Sequence, residues 1–464
     1  MIMENQYQSL VDDQKKYFKT GATRPLSFRL DSLRKLKQAI LSHEGQIGEA
    51  LYQDLGKSEA EVVSTEIGFT LNEINHVMKK LPKWIKHKKN KTNLFNLPGK
   101  SYIIHEPYGT TLIIGPWNYP FQLVMSPLVG AIAGGNTALI KPSEISTHTA
   151  QVIDALLSQT FDPVYIRAVQ GGIRETNDLL DIRFDKIFFT GSQKVGSIIM
   201  AKAAKHLTPV VLELGGKSPT VIDQTAKLEL AVKRIVFGKG TNAGQTCVAP
   251  DYVLVHERIQ DDFIKSFKKT VNSFYSHNVI ENDSFGKMIN ATNYQRVKDY
   301  MKDGEIVYGG QTDDQKLKIG LTLVRVDDLE KPIMQEEIFG PVLPVVTFTN
   351  EDQLIAIIHK NPDPLAMYIF SEDKAFVNRL IQAVPFGGGC INNTIMHLTN
   401  ENLPFGGRGT SGMGHYHGIH SFNAFTHQKA ILQAPTWFDL KLKYPPFMKK
   451  SLKFVKWLMY GKVV

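Results

Sequence analysis

From about Tyr102 onward, short apolar runs of strand length alternate with longer segments of helical pattern, and this rhythm constrains the fold more than any other feature of the chain. The first apolar runs are Thr111–Ile114, Ala138–Lys141, Tyr165–Gln170 and Lys186–Thr190. The helix-patterned segments that alternate with them are Phe121–Ala133, Thr147–Leu157 and Lys194–Lys205. Such units build a mostly parallel sheet with helices on both faces. The sequence therefore predicts a doubly wound α/β domain.

A second set of alternating segments predicts a second α/β domain of the same kind. Its apolar runs are Val210–Leu214, Thr220–Asp223, Val253–His256, Leu343–Phe348 and Met367–Phe370. Its helix-patterned segments are Ala226–Phe237 and Asp261–Phe274. We place the boundary between the two domains near Pro209–Gly216. The opening segment, Asp12–Ala60, also has the pattern of helices.

Length, cysteine content and charge limit the classes of protein to consider. The 464 residues are too many for one typical hydrophobic core, so more than one domain is expected. The two cysteines are far apart in the sequence and form no disulfide framework, so we expect a reducing cytoplasmic setting. We expect no signal peptide, because the first residues lack a basic segment followed by an apolar one. No uncharged apolar run reaches the length needed to span a bilayer. The net charge of +9 is concentrated in residues 79–91 and 440–464, with seven lysines each, and the mildly acidic remainder argues against nucleic-acid binding.

Two residues have the chemistry needed for covalent reaction at a carbonyl carbon. Cys247 ends the polar turn Gly244–Cys247, where we expect its thiolate to be favoured, and a thiolate is the required nucleophile. Glu213 lies in an apolar run before two glycines, which let another chain or a ligand approach. If this carboxylate is partly buried, its pKa is raised as a general base needs; the alternative is an exposed side chain. Cys390, after three glycines, fits a structural role better.

The segment Phe188–Gly196 predicts a strand, a glycine turn and then a helix. The free N–H groups at such a helix start, together with the helix dipole, bind a pyrophosphate well. The alternative is an ordinary strand-to-helix turn in which Ser192 caps the helix. The local pattern leaves both interpretations open.

Seven blocks of this chain, in order and at similar spacing, resemble the NAD(P)-dependent aldehyde dehydrogenase superfamily over nearly its whole length. They are Pro116–Pro120, Lys141–Glu144, Phe189–Ser192, Leu212–Ser218, Gly244–Cys247, Glu336–Pro341 and Pro404–Gly407. The short N-terminus and the segments Gln245–Tyr252 and Ser411–Gly418 resemble the class 3 and fatty aldehyde dehydrogenase branch. The resemblance implies oxidation of a medium-to-long apolar aldehyde, fatty or isoprenoid, to a carboxylic acid.

The resemblance also implies the roles of individual residues. Cys247 attacks the aldehyde to give a thiohemiacetal, the Asn118 amide and the Cys247 backbone N–H hold the oxyanion, and Glu213 activates the water that hydrolyses the thioester. The implied cofactor is NAD or NADP, with NAD favoured because Glu144 repels a 2′-phosphate. Its expected contacts are Lys141 and Glu144 near the adenosine ribose, Gly191 and Ser192 near the pyrophosphate, and Glu337 and Phe339 around the nicotinamide ribose and ring. Trp117 and Gly196 are further expected cofactor-binding residues.

For the fold, the resemblance implies a Rossmann-like cofactor domain, a catalytic domain and a small β-hairpin oligomerisation element, with a homodimer as the assembly. The expected ranges are 1–80 and 103–210 for the NAD(P)-binding domain, 211–400 for the catalytic domain, 81–102 and 415–440 for the oligomerisation element, and 441–464 for a basic amphipathic tail. Two rival activities remain open: a cofactor-independent thiol esterase and a coenzyme A-acylating aldehyde dehydrogenase.

One position departs from the family pattern, and two further segments need an interpretation. Gly240 stands where the family usually has an apolar or aromatic residue, which predicts either a wider substrate tunnel or local flexibility. The histidines of 415–420 resemble metal spacing, but without a nearby cysteine or carboxylate we expect a structural loop and no metal.

The last segment has the spacing of an amphipathic helix that is too short to span a bilayer. Its two faces hold Lys449, Lys453 and Lys456 on one side and Leu452, Val455 and Met459 on the other. Lysines beside aromatic residues suit an anionic lipid surface, and packing against the protein's own dimer is the alternative. We expect peripheral contact with the inner face of a membrane.

Overall fold

The strands and helices predicted from Tyr102 onward are present, and they form two separate, mostly parallel sheets. The computed structural model describes residues 5–439, 444–445 and 449–460. Its contacts divide the chain into a large unit, which extends to Trp84 and resumes over Pro107–His427, and a small unit formed by Ile85–Glu106 and the described residues from Gln428 onward. Both parallel sheets belong to the large unit, so the predicted α/β class is confirmed.

The first sheet has six strands, and only the edge pair runs antiparallel. In spatial order the strands are Gly412–Met413, Val210–Leu214, Lys186–Gly191, Thr110–Ile114, Thr137–Lys141 and Ile166–Ala168. The helices that connect and cover them are Gln122–Gly134, Thr147–Thr160, Ile173–Leu180 and Gln193–Ala204. Two of the inner strands are buried at every residue, as expected for a parallel sheet covered on both faces.

The second sheet has seven strands and is parallel except for the pair at one edge. In spatial order the strands are Glu305–Tyr308, Thr322–Arg325, Val342–Phe348, Tyr252–His256, Pro219–Ile222, Ala366–Phe370 and Gly388–Ile391. The helices around it are Leu228–Gly240, Gln260–Tyr275, Ala291–Tyr300, Pro332–Gln335, Glu351–His359 and Lys374–Ala383. Its buried core is rich in Val and Ile, which suit a pleated surface.

The placement of Val210–Leu214 differs from the prediction. This strand pairs with Lys186–Gly191, so it belongs to the first sheet and not to the second set. The chain changes sheets between Leu214 and the next strand, which begins at Pro219. Alternation of strands and helices identifies each strand but not its neighbour, because pairing depends on contacts distant in sequence. The later strand Gly412–Met413, which the sequence pattern missed, returns to this same sheet.

The helical character predicted for the opening segment is confirmed, and one buried carboxylate ties it to the first sheet. The helices are Gln8–Lys19, Leu26–Ser42, Glu44–Leu55, Glu59–Val62 and Gly68–Trp84, with a π-helical turn at Val63–Ile67. Asp54 accepts hydrogen bonds from the backbone N–H groups of His148 (3.2 Å) and Thr149 (2.8 Å). It therefore caps the helix that begins at Thr147, because those N–H groups have no partner within the helix.

A three-stranded sheet is formed by Lys88–Asn90, Lys100–Pro107 and Thr426–Gln433, and all of its residues except Pro107, Thr426 and His427 belong to the small unit. The first two strands form an antiparallel hairpin, as expected for the oligomerisation element. Residues 415–427 were assigned to this element, but they belong to the large unit. The reason is apolar packing: Phe422 and Phe425 are fully buried, and Phe425 contacts Gly130 closely enough that a Cβ there would lie 2.9 Å from its ring.

The remaining elements are short. They are the two-residue strands Thr312–Asp313 and Lys318–Ile319, the helix Ile419–Ala424 and the 3₁₀ turns Leu94–Asn96, Thr241–Gly244, Glu257–Ile259, Val279–Glu281, Met301–Asp303, Met396–Thr399 and Gly409–Ser411. The helical spacing of the tail is confirmed by the helix Lys449–Tyr460. Residues 440–443, 446–448 and 461–464 of the predicted basic tail lie outside the described residues. No described helix is both long and apolar enough to cross a bilayer.

Candidate active site

Cys247 follows a tight turn in which three successive residues have positive φ. Asn242, Ala243 and Gly244 have φ values of 52°, 49° and 73°. This conformation costs a non-glycine residue about 1–3 kcal/mol, so the turn must be held by its surroundings. At Gly244 a Cβ atom would come within 2.3 Å of the Gly340 carbonyl oxygen, which explains why glycine is needed there.

Buried hydrogen bonds offset the strain of this turn. The side chain of Gln245 donates to the carbonyl oxygens of Asn242 (3.1 Å) and Lys287 (2.9 Å) and accepts from the backbone N–H of Ile289 (3.0 Å). The carboxylate of Glu61 accepts from the backbone N–H of Asn242. Because the bonds of Glu61, Lys287 and Ile289 join this stretch to distant parts of the chain, the geometry around Cys247 is determined before any ligand binds.

Cys247 lies where two cavities meet. One, which we call the cleft, has a volume of about 680 Å³, and the other, which we call the pocket, has a volume of about 440 Å³. Four residues line both: Thr190, Glu213, Leu214 and Cys247. The candidate nucleophile and the candidate base therefore face the same junction.

Glu213 is buried at the end of its strand, and neither of its carboxylate oxygens has a hydrogen-bond partner among the described residues. Burial raises the pKa of this carboxyl group well above its ordinary value, because the charged form loses its hydration. The alternative interpretation, in which the side chain of Glu213 is exposed to solvent, is therefore wrong. A carboxyl group with a raised pKa is suited to accept a proton near neutral pH.

The pKa of the Cys247 thiol is raised, whereas the sequence predicted a favoured thiolate. Burial, with smaller effects from the carboxylates of Glu337 and Glu213, raises its pKa to about 12. The expectation of a favoured thiolate is therefore wrong for the protein alone, because no helix begins at Cys247 and the groups beside it are carboxyl groups, which do not stabilise a thiolate. A base or a positive charge must act on this thiol before it can attack a carbonyl.

Asn118 connects the cleft to the turn of Cys247. Its side-chain amide donates to the carbonyl oxygen of Gln245 (3.1 Å), and its own carbonyl oxygen accepts from the side chain of Asn242 (2.8 Å). An amide nitrogen carries two hydrogens, so one donor remains for a ligand in the cleft that Asn118 lines.

The structure brings all but one of the other predicted site residues to the walls of the cleft: Trp117, Lys141, Glu144, Gly191, Ser192, Glu337 and Phe339. The rings of Trp117 and Phe339 meet edge to face, with centroids 5.1 Å apart. Lys141 is buried, and its ammonium donates to the Pro142 carbonyl oxygen (2.8 Å) and to the Glu144 carboxylate (3.4 Å). Burial is the main cause of the raised pKa of Glu337, which is about 8.

The capping interpretation of the glycine turn is confirmed, and its pyrophosphate role stays a prediction. Ser192 caps the helix Gln193–Ala204 by accepting from the backbone N–H of Val195 (3.4 Å), and it also lines the cleft with Gly191. Gly196 does not line the cleft. A Cβ atom there would lie 2.6 Å from a methyl group of Leu214, so this glycine permits close packing of helix on strand.

The walls of the pocket include residues that sequence reasoning missed. Tyr119 bonds to Thr246 through their hydroxyl groups (2.6 Å), and both are neighbours of predicted residues. Phe69, Leu123 and Phe405 add apolar surface. Adjacency to Asn118 and Cys247 could have revealed Tyr119 and Thr246. Phe405 belongs to the block Pro404–Gly407, whereas Phe69 and Leu123 lie outside the seven blocks.

Gly240 lines the pocket, as expected for a position in the substrate tunnel, but the space beside it is filled. A Cβ atom at Gly240 would lie 2.3 Å from the hydroxyl oxygen of Tyr275, a residue at the end of the helix Gln260–Tyr275. Tyr275 also lines the pocket and packs on Phe285, with ring centroids 5.1 Å apart. The tunnel is therefore not simply wider here, because a side chain from another helix replaces the missing one.

The described residues contain no group of three or more His, Cys, Asp or Glu side chains placed to hold a metal ion. In the histidine-containing loop, His417 is buried in the pocket wall and stacks on Phe405, with ring centroids 5.2 Å apart. Burial lowers its pKa to about 3, so this histidine is neutral.

The family model described as the aldehyde dehydrogenase family matches residues 2–431. The chain belongs to this family. It is 49% identical over 446 residues to the 4,4'-diaponeurosporen-aldehyde dehydrogenase of Staphylococcus aureus (strain NCTC 8325 / PS 47), covering 96% of this chain and 97% of the relative. It is 42% identical over 459 residues to aldehyde dehydrogenase family 3 member A2 of Rattus norvegicus, covering 98% and 94%. A solved structure described as the substrate-bound state of Staphylococcus aureus AldH has a TM-score of 0.96 and 48% identity, covering 98% of this chain and 100% of that chain.

The resemblance to the class 3 branch is confirmed, and so is the two-sheet α/β fold that it implied. The enzyme is an oxidoreductase that acts on aldehydes. A cofactor-independent thiol esterase is not favoured, because residues 2–431 match the family model and both relatives, named as aldehyde dehydrogenases, align with at least 96% of the chain.

We predict that Tyr275 limits the bulk of aldehyde that this enzyme accepts. Tyr275→Ala should raise the ratio of kcat/KM for a bulky aldehyde to kcat/KM for a small one by about tenfold, which is the effect of a modest change in pocket volume. Steady-state NADH formation measures both values. Tyr275→Phe is the matched control and should leave the ratio unchanged, because it keeps the ring.

Placing a side chain at Gly240 gives a second test of the role of Tyr275. Gly240→Phe in the Tyr275→Ala background should return the ratio toward that of the unchanged enzyme, because the new ring takes the vacated space. An unchanged ratio in Tyr275→Ala itself contradicts the prediction.

Proposed function

We propose that this enzyme oxidises medium-to-long apolar aldehydes, fatty or isoprenoid, to carboxylic acids with Cys247 as nucleophile and Glu213 as base. The observation that carries the proposal is that both side chains line the junction of the cleft and the pocket. A cofactor in the cleft and an aldehyde in the pocket then meet at the sulfur.

The chemical steps follow from the residues at the junction. The Cys247 sulfur, once deprotonated, attacks the carbonyl carbon, and the oxyanion is held by the Asn118 amide and the Cys247 backbone N–H. The bound nicotinamide supplies the hydride acceptor. Glu213 then takes a proton from water as that water attacks the thioester, and the carboxylic acid leaves with the sulfur restored. The partnerless, buried carboxylate of Glu213 supports hydrolysis over transfer to coenzyme A.

The residues of the cleft fit a nicotinamide dinucleotide. The free end of the helix Gln193–Ala204, behind Gly191 and Ser192, offers backbone N–H groups to a pyrophosphate. Lys141 provides a buried cation, and Glu337 a carboxylate for ribose hydroxyl groups. We favour NAD over NADP, because the partly exposed carboxylate of Glu144 beside Lys141 repels a 2′-phosphate. We accordingly assign the first sheet to cofactor binding and the second to catalysis.

The substrate class is supported by the pocket and by a relative. Phe69, Leu123, Phe405 and Ile395 give the pocket apolar walls. The relative from Staphylococcus aureus is named for 4,4'-diaponeurosporen-aldehyde. Burial of each additional CH₂ contributes about 0.8 kcal/mol, so a longer chain binds better until the pocket is full.

Glu213→Gln should separate the two halves of the reaction. Because the amide cannot take a proton from water, the variant should release a single NADH per active site and then turn over about 10²- to 10⁴-fold more slowly. Stopped-flow absorbance of NADH measures the burst and the steady rate. Cys247→Ser is the control and should lose both phases, and a Glu213→Gln enzyme with full steady turnover contradicts the assignment of the base.

An aldehyde chain-length series with each nucleotide should resolve substrate and cofactor preference. We expect kcat/KM to rise with chain length from short to medium-to-long aldehydes and to be greater with NAD than with NADP. Glu144→Gln should reduce the preference for NAD, because it removes the charge that repels the 2′-phosphate. Equal nucleotide preference in both forms contradicts the role of Glu144, and a flat chain-length profile contradicts the substrate class.

We further propose a cytoplasmic homodimer that contacts a membrane surface through its tail. Both cysteines are free thiols, which supports a reducing compartment. The exposed strand Lys88–Asn90 supports association of two copies, because an uncovered strand edge pairs readily. In the helix Lys449–Tyr460, the exposed Lys453, Lys456 and Met459 support binding to the inner face of an anionic membrane.

Truncation after Pro446 tests the tail. We expect the shortened enzyme to lose sedimentation with anionic liposomes while its mass by light scattering stays that of a dimer. Neutral liposomes are the control, since the attraction is electrostatic. Liposome binding equal to that of the full chain refutes the membrane proposal, and a monomeric truncated enzyme favours packing of the tail on the dimer.

A further inference from the structure

A fully buried ion pair lies behind the segment that carries Asn118. The ammonium of Lys57 is 2.5 Å from a carboxylate oxygen of Glu66, and neither side chain has any solvent exposure. Neither residue lines the cleft or the pocket. Burial of two charges is costly, so such a pair persists only where further hydrogen bonds complete its environment.

Those further bonds all go to residues 118–122, which lead into the helix Gln122–Gly134. The Lys57 ammonium donates to the carbonyl oxygen of Asn118 (3.2 Å) and lies 3.9 Å from the ring centroid of Tyr119. The second carboxylate oxygen of Glu66 accepts from the backbone N–H of Gln122 (2.8 Å). The cation therefore holds one end of the segment and the anion the other.

The segment is also bonded to the nucleophile turn. The Asn118 carbonyl oxygen accepts from Asn242, and the Asn118 amide donates to the carbonyl of Gln245. Tyr119 reaches the turn through Thr246, the residue before the candidate nucleophile. Rotation or displacement of the segment would thus change the position of the Asn118 amide relative to the sulfur of Cys247.

Glu66 belongs to the π-helical turn Val63–Ile67, an irregularity in an otherwise α-helical stretch. Such turns change which residues a helix presents to one side, and they occur often at functional sites. Here the buried residues of the turn are Glu66 and Ile67. The local departure from α-helix thus coincides with the inward placement of the anion.

We propose that Lys57 and Glu66 are positioning residues for aldehyde oxidation, which hold the Asn118 amide where the oxyanion forms. The inference rests on the proposed function, in which Asn118 stabilises that oxyanion. An ion pair suits this task because its bonds are directional, whereas an apolar contact lets the segment shift. A displacement of about 1 Å at such a donor can cost about 100-fold in rate.

The test is the double variant Lys57→Met/Glu66→Gln. It removes both charges of the pair together and keeps an amide oxygen for the Gln122 N–H, so neither member of the pair is left as a buried charge without its partner. We expect single-turnover NADH formation to slow about 10- to 100-fold, with NAD affinity unchanged in a fluorescence titration. Leu380→Ala, a fully buried truncation in the helix Lys374–Ala383, controls for general loss of stability.

Comparison with Asn118→Ala gives the decisive result. That variant alone should slow hydride transfer by about 10²- to 10³-fold, as removal of one oxyanion donor does elsewhere. Added to it, the double variant should cause no further loss, because the pair acts through Asn118. If the two losses multiply, or if the Leu380→Ala enzyme slows equally, the positioning role is wrong.

Two further outcomes keep the inference separate from the proposal on which it rests. If Asn118→Ala leaves hydride transfer unchanged, the oxyanion role fails first, and the positioning role fails with it. If the double variant does not fold, Glu66→Gln alone replaces it, because glutamine keeps an acceptor for the Gln122 N–H, and Lys57 still has the carboxyl group of Glu61 nearby. A loss of rate that persists undiminished in the Asn118→Ala background again overturns the inference.

Discussion

The burial of Glu213 without a hydrogen-bond partner among the described residues is the constraint on which the rest of the site depends. A buried carboxylate without partners is unfavourable, so the group keeps its proton to a higher pH. Burial of the Cys247 thiol, which lines the same junction, likewise raises its pKa. The enzyme alone therefore holds a neutral acid and a neutral thiol, and both become reactive only when ligands alter their surroundings.

Rigidity around this pair comes from hydrogen bonds between distant segments. The turn of Asn242–Gly244 is strained, and it keeps its shape through bonds from Gln245, Glu61 and Asn118. Strain of this kind persists only where the surroundings determine the conformation more strongly than local preference does. The ion pair of Lys57 and Glu66 holds the segment of Asn118 in the same way, through bonds between residues that are distant in sequence.

Much of the fold could be predicted from the sequence, because strand and helix periodicities are local properties. The strand near Val210–Leu214 was recognised, for example, but its sheet was not, since pairing depends on contacts across the whole chain. Gly196 was assigned to the cofactor, whereas it permits helix–strand packing beside Leu214. A glycine carries no side-chain chemistry, so only its neighbours reveal its purpose. The sequence also did not show that the side chain of Tyr275 fills the space beside Gly240, because the two residues lie on different helices and meet only in the folded chain.

The sequence by itself determined the chemistry that is available: one cysteine in a polar turn, one glutamate before two glycines, and the ordered blocks that identify the family. The tertiary structure decided what those groups experience. It buried Glu213 and Cys247 at one junction, raised the pKa values of both, and set Lys57 and Glu66 behind the segment of Asn118. The reason is physical: residue type sets which bonds a group can make, but burial and electrostatics depend on atoms that are distant in sequence and close in space.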